Sequence, residues 1–145
     1  MKKYINGKVY DTETANDVGS WSNNRSYRDF GWCEETLYRK KTGEYFLHGE
    51  GGAMSAYARQ VDGNTRGRGE AIRPLTFDEA REWAEEHLDG DEYEKIFGAI
   101  SDDGTDCLIS AVVKASSRDR LRREVEKSGR SIGEILDALI EGNLG

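Results

Sequence analysis

Residues 108–114 read Leu-Ile-Ser-Ala-Val-Val-Lys, a short run in which side chains of two kinds alternate. An extended strand turns successive side chains to opposite faces. One face would carry Ile109, Ala111 and Val113, and the other would carry Ser110, Val112 and Lys114. We therefore predict a strand with one buried side and one side that can read a partner.

Two helices are predicted to follow this strand. Ser116 or Ser117 can cap the first helix, in which Leu121 and Val125 are four residues apart and share a face, and Gly129 ends it. Ser131 opens the second helix with Glu134 three residues later, which is the spacing of a capping box. The apolar stripe of the second helix comprises Ile132, Ile135, Leu136, Leu139 and Ile140.

Residues 120–135, Arg-Leu-Arg-Arg-Glu-Val-Glu-Lys-Ser-Gly-Arg-Ser-Ile-Gly-Glu-Ile, resemble the ribbon-helix-helix family of DNA-binding proteins. In that family two chains pair their strands into a ribbon that lies in the DNA major groove. The resemblance implies a homodimer and operator DNA as a partner. The alternative is a strand and helical hairpin that simply complete one globular core.

The resemblance also implies roles for individual residues. The base readers would be Ser110, Val112 and Lys114, while Arg130 and Ser131 would meet a phosphate at the start of the second helix. The dimer core would contain the apolar residues of the tail, namely Ile109, Ala111, Val113, Leu121, Val125, Ile135, Leu136 and Leu139.

The charge of the chain is unevenly distributed. Residues 1–106 hold 14 Lys and Arg against 22 Asp and Glu, a net of −8, whereas residues 107–145 hold 7 against 6, a net of +1. Phosphate binding needs a basic footprint. We therefore expect any DNA contact to be confined to the tail.

Several classes of function are disfavoured. No run approaches the roughly 20 apolar residues of a membrane span, and the N-terminus lacks the apolar continuation of a signal peptide, so we expect a cytoplasmic protein without membrane contact. The two cysteines and two histidines have no zinc-binding spacing. With no nucleophile beside a base and no metal or cofactor constellation, we predict a protein that is not an enzyme.

The first part of the chain predicts a small antiparallel sheet. Asn6-Gly7 between two short alternating runs indicates a hairpin, and Asp11 or Thr12 could cap a short helix ending at Gly19. Residues 20–31 are predicted to be a loop whose aromatic side chains either recognise a partner or, as we favour, pack in the core. Residues 33–40 and 44–48 are predicted to pair as strands, and the glycines at 49–52 to form a turn or bulge. Residues 62–69 are predicted to be an exposed hairpin tip.

A further strand and an acidic helix are predicted next. Residues 70–73 form the strand, Pro74 ends it, and Thr76 with Glu79 forms a capping box. Ala80, Trp83 and Ala84 would be buried. The opposite face of this helix carries Asp78, Glu82, Glu85, Glu86 and Asp89. This acidic face is either simply solvated, as we favour, or it docks a basic partner surface or imitates phosphates.

The sequence thus predicts an α+β protein with a small antiparallel sheet and helices in an N-terminal domain and a strand-helix-helix dimerising tail. The predicted bounds are 1–98 for an acidic interaction domain, 99–106 for a polar, turn-rich linker and 107–145 for the ribbon-helix-helix domain.

Residues 1–98 also resemble a family of small proteins carried on plasmids, phages and integrated elements of Gram-positive bacteria. The resemblance rests on residues 3–15, on Glu35-Thr36-Leu37-Tyr38 before residues 42–47, on Gly49-Glu50-Gly51-Gly52 and on Pro74-Leu75-Thr76 before residues 79–83. Some proteins that look like this are anti-CRISPR inhibitors of type II effectors. The resemblance implies a partner in a Cas9-type nuclease or its guide RNA complex.

Overall fold

The chain folds into two compact units, Met1–Leu108 and Ile109–Gly145. The structure is a computed structural model that describes residues 1–99, 101, 104–107, 109 and 111–144. It is α+β, with small antiparallel sheets in the first unit and two helices in the second. The predicted linker 99–106 falls at the end of the first unit, and its residues 100, 102 and 103 lie outside the described part.

The chain opens with the predicted hairpin. Strands β1 (Lys2–Ile5) and β2 (Lys8–Asp11) pair antiparallel. Asn6 and Gly7 have φ of 50° and 78°, so both turn residues adopt the left-handed conformation that a two-residue hairpin turn of this kind requires. The Asn-Gly pair therefore sets this hairpin locally.

The prediction of a short helix after Asp11 is wrong. The Asp11 carboxylate accepts the Glu13 N–H (2.9 Å) and the Asp11 carbonyl accepts the Ala15 N–H (3.1 Å), which makes a single turn that does not continue. Strand β3 (Asn16–Ser22) follows at once and pairs with the next strand of the sheet. Pairing with a neighbouring strand outweighs the local capping signal here.

A four-stranded antiparallel sheet forms the centre of the first unit, in the order β3, β4 (Cys33–Arg39), β5 (Tyr45–Gly51), β8 (Gly69–Leu75). The predicted pairing of residues 33–40 with 44–48 is confirmed, and β5 extends three residues further. Pro74 does not end its strand but lies within β8. This is tolerated because β8 is an edge strand, where a proline without an N–H need not break the ladder.

Both faces of this sheet are covered over part of their area. Helices α1 (Phe77–His87) and α2 (Gly90–Phe97) pack on one face around buried Leu37, Leu47 and Trp83. The opening hairpin packs on the other face, where Tyr10 meets Phe46 edge to face at 5.5 Å. The predicted capping box is confirmed, since the Thr76 and Glu79 side chains each accept the other residue's backbone N–H.

The glycines of β5 have a different role from the predicted turn or bulge. The strand runs straight through Gly49 and Gly51, and residues 52–58 lie against it. A Cβ on Gly49 would stand 1.9 Å from the Tyr57 ring, and one on Gly51 would stand 2.2 Å from the Ser55 hydroxyl. The segment can therefore approach the sheet only because these positions lack side chains.

A separate two-stranded hairpin in the first unit consists of β6 (Arg59–Asp62) and β7 (Thr65–Gly67). Its turn, residues 63–64, lies within the predicted exposed tip. The Arg68 carbonyl, just after β7, accepts a hydrogen bond from the Arg59 guanidinium at 3.1 Å.

The second unit contains helices α3 (Ala115–Ser128) and α4 (Ile132–Asn143). Gly129 ends α3 in the left-handed conformation, as predicted. The predicted cap by Ser116 or Ser117 is wrong, because Lys114 occupies the N-cap without a side-chain hydrogen bond and both serines lie inside the first turn. Ser131 caps α4 by accepting the Glu134 N–H at 3.1 Å.

Candidate interaction surfaces

The tail presents an apolar surface that its own two helices do not cover. Ile135 is the only residue of the described part of this unit that is fully buried, at 3% exposure, while Leu121, Val125 and Leu136 are half-buried. Leu139 on the same stripe keeps 51% of its surface exposed. The other exposed apolar residues of this unit are Ile109, Val112, Val113, Ile132, Ile140 and Leu144.

The described residues of the segment expected to form a ribbon have no strand partner in the described part of the chain. Ile109 and residues 111–114 carry no strand partner among the described residues, and Leu108 and Ser110 lie outside the described part. A ribbon of this kind takes its backbone partners from a second chain. The predicted strand and the predicted dimer core therefore remain predictions.

The predicted DNA-reading residues differ in how available they are. Val112 and Lys114 are exposed, and Ser110 lies outside the described residues. At the start of α4, the Ser131 hydroxyl also donates to the Glu134 carboxylate at 3.1 Å. A carboxylate beside a helix N-terminus repels a phosphate that approaches the same N–H groups, so this contact disfavours the predicted phosphate site.

One face of α3 carries basic residues for which the sequence pattern predicts no role. A shallow depression of about 350 Å³ is lined by Ser116, Asp119, Arg120, Arg122 and Arg123. Arg118 pairs with Asp119 at 3.2 Å, whereas Arg120, Arg122 and Arg123 form no ion pair with a described residue. These three guanidinium groups therefore lie close together on α3 without an ion pair to a described carboxylate.

The predicted acidic face of α1 is exposed, but local contacts occupy most of its carboxylates. Glu85 accepts a hydrogen bond from Arg81 at 2.9 Å, and Arg81 also lies 3.9 Å from Asp78. Asp89 does not belong to this face as predicted, because α1 ends at His87 and Asp89 caps α2 by accepting the Glu92 N–H at 2.8 Å. Glu86 lies 3.8 Å from the His87 ring. The Arg81 guanidinium offsets part of the charge that the face can offer to a basic partner.

The loop at residues 23–32 separates its aromatic side chains into two groups. Trp32 is buried, as the favoured core interpretation expects, but Tyr27 and Phe30 remain 58% and 67% exposed. Met54, in the neighbouring segment 52–58, is 78% exposed, and its N–H donates to the Phe30 carbonyl at 2.8 Å. We call Tyr27, Arg28, Phe30, Met54 and Arg68 the loop patch.

Arg68 is held against the loop patch by two contacts. Its guanidinium stacks 3.5 Å from the centre of the Tyr27 ring and donates to the Tyr27 carbonyl at 2.8 Å. Tyr27 in turn meets Trp32 edge to face at 4.7 Å. Neither Arg68 nor Arg28 forms an ion pair with a described residue. Sequence patterns could not reveal this patch, because it depends on which loop aromatics the fold buries.

A polar cluster fastens the 52–58 segment and α1 to the sheet. The Trp83 indole N–H donates to the Glu35 carboxylate at 2.6 Å. Burial raises the pKa of Tyr57, and the adjacent Glu35 carboxylate raises this pKa further. Burial likewise raises the pKa of the Cys33 thiol. These shifts favour the protonated phenol and thiol, which are weak nucleophiles, so the cluster is suited to holding the fold.

The described residues contain no group of three His, Cys, Asp or Glu side chains placed to hold a metal ion. None of the helices in the described part has the length and apolar character needed to cross a bilayer.

Comparison with known proteins adds no assignment to these surfaces. No family model matches the chain, and no curated protein or solved structure is significantly similar to it.

Proposed function

We propose that this chain is a non-enzymatic protein of a mobile genetic element that inhibits a type II (Cas9) effector and dimerises through its tail. The inhibitory role is supported by the resemblance of residues 1–98 to a family that includes anti-CRISPR proteins. The single observation that carries the dimer is the uncovered apolar surface of the tail. In the described part of that unit, only Ile135 is fully buried.

The size of the second unit supports association. Chains shorter than about 40 residues seldom bury a sufficient core without disulfides, metals or oligomerisation. The unit at 109–145 falls below that length, and its cysteine-free sequence has no disulfide to add. A second copy that covers Val113 and Leu139 would supply the missing core.

A dimer would also increase inhibitory potency. Once one copy of the first unit is bound, the linked second copy would be held at a high effective concentration near a second effector site. The net negative charge of the first unit would speed its encounter with an effector whose nucleic-acid-binding surfaces are basic, because opposite charges attract at long range.

The test is DNA cleavage by a panel of purified type II effectors, each with its guide RNA, in the presence of the full chain. The proposal predicts inhibition of at least one effector. Val113→Asp should weaken inhibition because it places a carboxylate in the dimer core, while Val112→Asp, the same change on the outward face, should leave inhibition intact. Undiminished cleavage by every member of the panel would refute the inhibitory role.

A second function is favoured by the exposed side chains of the tail. Val112 and Lys114 are exposed, and the free arginines of α3 add positive charge to the same unit. We propose, as the alternative, a ribbon-helix-helix regulator that binds a palindromic operator.

Binding to the DNA upstream of the chain's own gene tests this alternative. Lys114→Ala and Arg130→Ala should abolish binding while the dimer remains intact. Phosphate contacts should also make the affinity fall steeply with salt. Unchanged binding by both variants would refute the regulator.

A further inference from the structure

We infer that the loop patch is the surface through which the first unit docks onto a protein partner, at an apolar cleft flanked by carboxylates. This inference rests on the proposed function, since it takes the effector protein as the partner. It assigns the contact to a surface other than the acidic face of α1.

Exposure is the first reason for this assignment. Single exposed apolar side chains are normal on protein surfaces, whereas a cluster of them marks an interaction site. Phe30 and Met54 are among the most exposed large apolar residues of the first unit, and a direct hydrogen bond joins their backbones. Phenylalanine, tyrosine, methionine and arginine are the residue types enriched in the cores of protein interfaces.

Rigidity is the second reason. The loop that carries Phe30 is tied down at both ends, because Asn23 donates to the Gly31 carbonyl at 2.7 Å and the Gly52 N–H donates to the Trp32 carbonyl at 2.9 Å. The Gly31 N–H further donates to the Asp29 carboxylate at 2.7 Å. A surface already fixed in shape loses little conformational entropy when a partner binds.

Charge decides the chemistry of the partner. Arg68 is oriented by its stack on Tyr27, and it keeps guanidinium N–H groups that no described carboxylate engages. Arg28 is exposed and equally unpaired. An arginine fork matches a carboxylate in geometry. The net charge of −8 over residues 1–106 opposes a nucleic acid, whose phosphates would be repelled by the rest of the unit.

The experiment measures binding of the full chain to three probes, namely a type II effector without its guide, the same effector with its guide, and the guide RNA alone. Phe30→Ala, Met54→Ala and Arg28→Ala remove exposed side chains. Each should weaken binding to the guide-free effector by roughly tenfold or more. Tyr4→Ala is the matched control, because Tyr4 is an equally exposed aromatic residue on the opening hairpin, and it should bind like the parent chain.

The outcomes separate the two proposals. Parent-level binding by all three patch variants would overturn the loop patch while leaving the proposed function standing. If the patch variants lose binding to the isolated guide RNA but still bind the guide-free effector, the patch contacts RNA. That result would also overturn the inference of a protein partner. A parent chain that binds no effector in any form would overturn both proposals.

Discussion

Replacing Gly49 with alanine should destabilise the first unit through one identifiable clash. An ideal Cβ at this position lies 1.9 Å from Cζ, 2.2 Å from the hydroxyl and 2.4 Å from Cε1 of Tyr57. Ordinary contact begins at 3.4 Å, so the ring must retreat by about 1.5 Å. Such overpacking costs about 1–3 kcal/mol, and the ring also gives up part of its burial. We expect a loss of roughly 3 kcal/mol in the free energy of unfolding.

Tryptophan fluorescence during urea or thermal unfolding is the appropriate assay. All three tryptophans, Trp21, Trp32 and Trp83, belong to the first unit, so their emission reports on that unit alone. For a domain of about this size the expected loss lowers the Tm by about 10 °C or more. Gly63→Ala is the matched control, because a Cβ there meets nothing within 4 Å, and it should change stability by less than about 0.5 kcal/mol.

A double-mutant cycle then identifies the cause. In a Tyr57→Ala background the ring is gone, so adding Gly49→Ala should cost little further stability. Two results would refute the close-approach explanation of this glycine. One is a Gly49→Ala variant as stable as Gly63→Ala, and the other is a full loss of stability that persists without the Tyr57 ring.

Three further predictions concern other parts of the molecule. The pKa of Tyr57 is higher in the folded than in the unfolded chain, so the protonated phenol stabilises the fold. This stabilisation is complete below a pH of about 10 and is lost as the pH rises above that value. A Tyr57→Phe variant should therefore lose less stability than the parent in alkaline urea titrations, and equal losses would contradict this. Thr76→Ala removes the side-chain cap of α1 and should lower the free energy of unfolding in urea by about 1 kcal/mol. Thr76→Ser keeps the capping hydroxyl and should retain most of that stability. Val113→Asp should weaken association by roughly 1,000-fold or more in sedimentation, since each copy buries an unpaired carboxylate, whereas an equal effect of Val112→Asp would contradict the predicted strand faces.

The elements that the sequence predicted correctly are those with a local cause. Asn6 and Gly7 can both adopt positive φ, which is sufficient to specify a two-residue hairpin. Thr76 and Glu79 satisfy one another's N–H groups within four residues. Gly129 ends α3 for the same kind of local reason.

The elements that were wrong depend on distant contacts. Residues 11–18 carry a capping signal, but Asn16–Ser22 pairs with β4, which no local pattern reveals. Gly49 and Gly51 suggested a turn, but glycine is required at these positions because Tyr57 and Ser55 of a neighbouring segment occupy the space of a side chain. Propensity is a weak prior wherever sheet pairing or close approach competes with it.

The interaction surfaces were predictable to different degrees. The apolar stripe of the tail follows from helical spacing, and Leu139 on that stripe is 51% exposed in the single chain. The loop patch did not follow from spacing, because Trp32 and Phe30 are only two residues apart and yet one is buried and the other exposed. The Trp32 ring meets Tyr27 edge to face at 4.7 Å, a contact within the loop that spacing does not reveal.

The solution mass of the full chain, measured by light scattering over a range of concentrations, tests the central claim most directly. We predict a species of twice the 16.3 kDa chain mass, which shifts toward a single chain mass in Val113→Asp. A parent chain that remains at 16.3 kDa at every concentration would contradict the dimerising tail and, with it, the proposed ribbon.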